Sequence, residues 1–353
     1  MDKFKKIGLT ALGTSLVAGS AFAADATVTG NAGYTWSSEE VGTKTTDGIG
    51  FENDMKMAIS GELDNGWSVT GSMLLTEDAA LSSSWTSLTM GSMGSIVVGN
   101  GYGGLGANHD DATPRAYEEN HDGMKTATAI DSVGSAMDNG QILYTSPSFD
   151  MMGASMSFGL EYAPEASDAA IGDGEVSTSS NLWSSGKGAQ VNIAYGGLSL
   201  GAYANERTKD SSKSQTDGDA TDATWHATFT SGPVSIGYQV GGVERGLTGA
   251  AAANNSSAKT VTEASGNFEF EKMSIAFNVN DDFSVSWGEL TETYDEQDLG
   301  TVADVDMTST SVQFSYTMGS MTIAGYQTDT DNPGWDSDAK SDTVNEIAIN
   351  FAF

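Results

Sequence analysis

The chain has 353 residues, with 15 Lys and Arg against 48 Asp and Glu, and a formal charge of −33. So acidic a surface repels nucleic acid and anionic membranes at low salt, and with no cysteine the fold cannot rest on disulfides. Hydrophobic residues are 38% of the total and no run of about eighteen is apolar throughout, which excludes a transmembrane helix and suits a wall with one apolar face.

Residues 1–23 read as a signal peptide: a basic start (Met1–Lys6), a short apolar run, and Ala21-Phe22-Ala23 as a small-x-small cleavage site. Cleavage after Ala23 leaves 330 residues, and losing Lys3, Lys5, Lys6 and Asp2 moves the charge to −35. Residues 24–353 show no linker or composition break, so one unit is expected.

That unit alternates with period two from end to end. Ala26, Val28, Ala32, Tyr34 and Trp36 share one face of a first strand, and a polar loop is expected over Ser37–Gly48. Phe51, Met55, Met57 and Ile59 oppose Glu52, Asp54, Lys56, Ser60 and Glu62 in the second. Asp64-Asn65-Gly66 turns into a third strand, Trp67–Thr76. The fourth, Leu81–Met90, contains Trp85, and the fifth is Ser95–Asn100. Gly101–Asp138 does not alternate. A sixth strand, Gln141–Ser146, ends where Pro147-Ser148 opens a turn, and a seventh runs from Ala154 to Tyr162. Nine more follow, starting near Ala189, Leu198, Ala223, Val234, Met273, Phe283, Val312, Met321 and Thr343. Residues 266–270 extend the twelfth of these or belong to the loop before it. The last strand puts Ile347, Ile349, Phe351 and Phe353 on one face, and Glu346, Ala348 and Asn350 on the other.

Sixteen strands joined by alternately short turns and long polar loops describe an antiparallel transmembrane β-barrel. The long loops expected are 163–186, 208–221, 242–258, 289–304 and 329–341. The apolar terminal strand is safe only if paired on both sides, as the seam of a closed barrel with lipid outside. Tyr34, Trp36, Trp67, Tyr162, Tyr195 and Phe283 near strand ends fit an interfacial girdle. A soluble β-sandwich is the rival architecture. The inner set consists of Thr, Ser, Asn, Gln and Gly with scattered charges, so no apolar core is expected inside, and at this strand number an aqueous channel remains.

Residues 101–138 carry Asp110, Asp111, Glu118, Glu119, Asp122, Asp131 and Asp138 against Arg115 and Lys125. A loop of such length is usually functional, and the reading preferred over an external solvated loop is a constriction inside the barrel.

Leu88–Asn100 (LTMGSMGSIVVGN), Leu143-Tyr144-Thr145-Ser146-Pro147-Ser148-Phe149 and the terminal Phe353 resemble the corresponding motifs of the trimeric sixteen-stranded general porins of Gram-negative bacteria, those of alphaproteobacteria among them. The likeness spans 24–353. It implies an outer-membrane homotrimer whose third loop folds inward, passive diffusion of small hydrophilic solutes and ions, and recognition of Phe351 and Phe353 by the barrel-assembly machinery. It also implies that acids of the third loop face bases across the bore. Here the inner wall offers only Lys56 and Arg207, with His226, against Glu52, Asp54, Glu62, Glu161 and Glu346, so a cation-preferring pore is expected.

No enzyme is expected. His226 shows no Gly-x-Ser-x-Gly or neighbouring base, and the glycines of 99–106 lack a phosphate loop's Lys and Ser/Thr. His109, His121 and His226 have no metal-ligand spacing; a weak divalent site at His109 and His121, beside the loop carboxylates, is weighed against plain loop polarity, which is preferred. No cofactor is expected; a weakly held Ca²⁺ at Asp329, Asp331, Asp336 and Asp338, or at Asp304 and Asp306, is weighed against a plain solvated acidic face, which is preferred. The competing functions are a non-transport barrel (adhesin or structural) and a substrate-specific channel. The latter wants lumen aromatics, of which Tyr203 and Tyr326 are the candidates.

Overall fold

Strict alternation leaves each strand with two unlike faces, and the only partner for so many exposed backbone groups is another strand. The computed structural model describes residues 25–76, 80–124, 128–135, 137, 139–166, 183–210, 218–244, 267–295 and 304–353. The expected signal peptide, Lys125 and Asp138 lie outside the described residues.

In chain order the strands are β1 (Asp25–Val41), β2 (Lys44–Glu62), β3 (Ser68–Leu75), β4 (Leu81–Thr89), β5 (Ser95–Asn100), β6 (Asn139–Thr145), β7 (Phe149–Met151), β8 (Ala154–Ala163) and β9 (Trp183–Tyr195). There follow β10 (Leu198–Lys209), β11 (Ala220–Ser231), β12 (Val234–Glu244), β13 (Asn267–Asn278), β14 (Phe283–Asp295), β15 (Val305–Met318), β16 (Met321–Asp331) and β17 (Asp342–Ala352). Each pairs antiparallel with its neighbours, and β17 pairs with both β16 and β1. The ring is closed. Phe353 and Gly30 exchange backbone hydrogen bonds at 2.8 and 3.1 Å across the seam.

The seventeen segments make sixteen staves. β6 and β7 both pair with β8 and are one stave interrupted at Ser146-Pro147-Ser148. Pro147 has no N–H to donate, so the ladder lapses there and resumes at Phe149. The turn expected at Pro147-Ser148 lies instead at Met152 and Gly153, both at positive φ.

The expected polar loop over Ser37–Gly48 is also corrected. β1 and β2 stay paired out to Val41↔Lys44, with Gly42 at φ +63° in the turn. The same holds elsewhere: β14 runs to Asp295 and β16 to Asp331, inside segments read as loops. Residues 267–270 belong to β13. Pairing needs only backbone, so strands persist after apolar alternation stops.

Outside, Phe51, Ile59, Phe158, Leu160, Ile236, Ile275, Phe277, Val312 and Ile347 are exposed. A continuous apolar band of this kind is solvated by lipid. Tyr34, Trp36, Tyr162, Tyr195 and Phe353 are exposed among them.

The inner face is polar but not uniformly so. Val243, Phe268, Phe270, Leu290, Tyr294 and Met307 on β12–β15 are buried together with Trp335 and with Ile130 and Val133 of a short helix, α1 (Ala129–Ser135). The expectation of no apolar core inside is therefore wrong here. On β13 and β14 the acids Glu269, Glu271 and Glu289 alternate with these inward apolar side chains. Beyond the lipid band the outside is water and the inside is protein, so the two faces exchange character.

Candidate functional site

Residues 101–138 carry no long run of alternation, so their backbone polar groups need partners other than a neighbouring strand. The wall supplies them, stave by stave. Leu105 N–H donates to Glu161 Oε2 of β8 at 2.7 Å. His109 Nε2 bonds Gln190 Oε1 of β9 at 2.9 Å, and its Nδ1 lies 3.1 Å from His226 Nε2 of β11. Gln190 Oε1 only accepts, so His109 carries its proton on Nε2 and takes one at Nδ1 from His226. Tyr203 of β10 stacks on His109 with 9° between the rings.

Further along, Gln239 of β12 accepts from Ala112 N–H and donates to the His109 carbonyl. Ser274 of β13 donates to the Pro114 carbonyl at 2.7 Å, and Ala116 N–H donates to Ser286 Oγ of β14 at 2.9 Å. Tyr117 N–H reaches Gln313 of β15, its hydroxyl donates to Glu346 of β17, and its ring packs on Tyr326 of β16. Every stave from β8 to β17 touches this segment.

Glycine makes the approach close enough. A Cβ on Gly201 would lie 2.1 Å from His226 Nε2 and 3.0 Å from His109 Cε1; on Gly237, 2.3 Å from Pro114 Cδ; on Gly288, 2.6 Å from Asn120 Oδ1. These three glycines stand on β10, β12 and β14, where any side chain would hold the segment off the wall.

An ion-pair network locks the middle of the segment. Asp111, Glu119 and His121 bring three potential ligand atoms within 4.8 Å of one another. Lys272 of β13 takes the cation's place: its Nζ is bound to Asp111 Oδ2, and both side chains are 1% exposed. Arg115 adds contacts to Asp111 at 3.3 Å and Glu119 at 3.4 Å. Burial disfavours a charged His121, but the hydrogen bonds it donates to Asp131 and Glu119 outweigh this and raise its pKa to about 10. Burial likewise opposes the Asp111 carboxylate, and Lys272 and Arg115 overcome it. A protonated His121 is no metal ligand, so these residues suit ion pairing better than a metal.

Two other acids stay closer to neutral. Burial pushes Asp110 up to about 6, and burial together with a hydrogen bond to Asp122 pushes Glu118 up to about 7. The helix α1 is held by Glu292 of β14, whose two oxygens accept from Ala129 N–H (2.9 Å) and Ile130 N–H (2.8 Å). A carboxylate at a helix start satisfies free amides and meets the positive end of the dipole.

Of the residues singled out in the sequence, Asp110, Asp111, Arg115, Glu118, Glu119, Asp122 and Asp131 do share one region. Glu161, His226 and Glu346 reach it from the wall. Arg207 does not: it is paired with Asp222 at 3.0 Å beneath the Trp183 ring. Glu52 of β2 accepts from Asn31 at 2.5 Å, and Lys56 and Glu62 are exposed. Three groups were missed. Lys272 alternates with Met273 and Ile275, which was signal enough to place it inside. Glu292 was assigned to a loop. Trp85, Tyr102 and Tyr117 add to the expected lumen aromatics Tyr203 and Tyr326.

No family model matches the sequence, and no curated protein matches it. Solved structures do. Salmonella typhi OmpF in complex with daunomycin superposes with a TM-score of 0.68 at 14% identity, over 93% of this chain and 97% of that one. The anion-selective porin from Comamonas acidovorans gives 0.65 at 12%, over 94% and 100%. A porin refined at 1.8 Å resolution gives 0.61 at 18%, over 93% and 100%. At such identities the likeness is one of fold: this chain has the sixteen-stranded barrel of these porins.

Proposed function

We propose that the chain is an outer-membrane channel for passive diffusion of small hydrophilic solutes and ions, cation-preferring, with residues 101–138 folded inward as its constriction. The observation that carries the reading is the row of wall side chains, one or more from every stave β8–β17, that receives this segment. A loop bonded in this way covers one side of the lumen and leaves the β1–β5 side as the path.

The charge left beside that path is acidic. Lys272 and His121 are buried in pairs, and Arg207 is matched by Asp222. Glu118 and Asp122 remain at the segment's far end beside Glu346 of β17, with Glu52, Asp54 and Glu62 on β2, against Lys56 and the half-exposed Arg115. Clustered carboxylates concentrate cations and repel anions. The Comamonas porin is anion-selective by name; the present balance points the other way. No hydrolytic chemistry is assigned: the bonds of His226 run to His109, and the reading needs no bond-making step.

A homotrimer fits the outer faces of β3–β5, where Gly71, Ser84 and Thr86 stand in place of large side chains. The paired seam strand is the segment that assembly machinery would engage through Phe351 and Phe353. The test is a planar bilayer with a KCl gradient across it. Stepwise ohmic currents with a reversal potential of cation sign support the proposal. An anion sign overturns the selectivity, and a barrel that never conducts favours an adhesin or structural role.

A further inference from the structure

Trp85 breaks the wall's rule. On β4 it pairs in register with Ser72 and Gly99, which places it on the inner face beside small residues. Gly99 is required there, since a Cβ would lie 2.5 Å from that of Trp85. An indole turned toward an aqueous bore exposes apolar surface without benefit unless something stacks on it. Tyr102, at the start of the 101–138 segment, meets it edge-on with centroids 5.3 Å apart.

Together they form one side of a cavity of about 520 Å³, which also reaches β3, β5, β6, β8 and β9. That volume is in the range of small-molecule sites. Its lining contains no Asp, Glu, Lys, Arg or His, although the rest of the lumen is rich in charge. Instead it offers hydroxyls such as Ser87 and the amides of Asn108, Gln190 and Asn192, all able both to donate and accept. An ion finds no counter-charge here. A purely apolar ring leaves these polar groups unpaired, which costs free energy. A flat ring with hydroxyls round its edge and C–H groups on its faces satisfies both.

We infer that this niche is a binding subsite for a neutral pyranose unit, so that the channel retains sugars briefly on their way through the bore. The inference deepens the diffusion reading and specifies a solute class for it. Its position inside the lumen points to free saccharide rather than to glycan on the cell surface.

The test uses the whole purified protein and maltotriose. Added to a conducting bilayer, maltotriose reduces the KCl current in a saturable manner. Trp85→Leu raises the half-blocking concentration about five- to tenfold, the loss expected for one stacked ring, and Trp85→Phe restores most of it. Asn108→Ala weakens the block without touching β4, which keeps the inference testable if Trp85→Leu folds poorly. Tryptophan fluorescence of the protein in detergent titrates with maltotriose independently of any current. Failure to conduct together with saturable fluorescence quenching removes the channel reading and leaves the niche. Normal conduction with neither block nor quenching removes the niche and leaves the channel. A block unchanged in all three variants, or matched by gluconate in place of maltotriose, also overturns the inference.

Discussion

Lys272→Met tests how the 101–138 segment is held against the wall. The Lys272–Asp111 pair is the most deeply buried ion pair among the described residues, with both side chains 1% exposed. Removing one partner of such a pair leaves an uncompensated charge and costs about 3–5 kcal/mol. Asp111 keeps Arg115 at 3.3 Å and the Thr113 hydroxyl at 3.0 Å, so the lower end applies, about 3 kcal/mol. With about 1.4 kcal/mol to a factor of ten, the segment should open roughly a hundredfold more often, while the barrel ladder stays closed. Hydrogen exchange in detergent reads this directly: amides of 105–124 lose about two decades of protection, and those of β8–β17 lose none. Asp111→Asn combined with Lys272→Met removes both charges and should recover most of the loss. Wild-type protection in Lys272→Met, or a double variant as labile as the single one, refutes the reasoning.

Glu292→Gln weakens the start of α1 by about 1 kcal/mol, seen as faster exchange at Ala129 and Ile130; unchanged exchange contradicts the cap. Gly237→Ala pushes against the rigid Pro114 ring and should cost the segment about 1–3 kcal/mol, read as lost protection over 112–117. Burial holds the pKa of His109 below its ordinary value, so the detached segment binds protons more readily than the attached one. Attachment is therefore complete above about pH 6.5 and weakens as pH falls through the depressed value. Open-channel noise should rise on acidification, and an equal rise in His109→Gln contradicts this. Glu118 and Asp110 are neutralised as pH falls through about 7 and then about 6, so cation preference should decline across that interval, with the upper part absent in Glu118→Gln.

The barrel was legible because lipid enforces a simple rule: within the apolar band each stave declares its faces, and sixteen of them could be counted. The break over 101–138 was visible for the converse reason, since alternation stops there, and β5 ends at Asn100 while β6 begins at Asn139. What escaped lies where the rule changes. Phe268, Phe270, Leu290 and Tyr294 point inward beyond the lipid band, where outside means water. Trp85 sits on the water side because Gly99 leaves room, a relation between two strands that neither shows alone. The pairing of Lys272 with Asp111, and of Glu292 with α1, joins residues far apart in the chain, and no local spacing encodes it.

Because the sequence contains no cysteine, single introduced thiols report the path without background. In a conducting bilayer, Lys56→Cys on the β2 wall should react rapidly with a charged methanethiosulfonate and shift the current in one step per pore, whereas Ser286→Cys, under the Ala116 amide, should stay protected. Equal reactivity at the two positions, or protection at Lys56→Cys alone, would contradict a bore that runs between the inner segment and the β1–β5 wall.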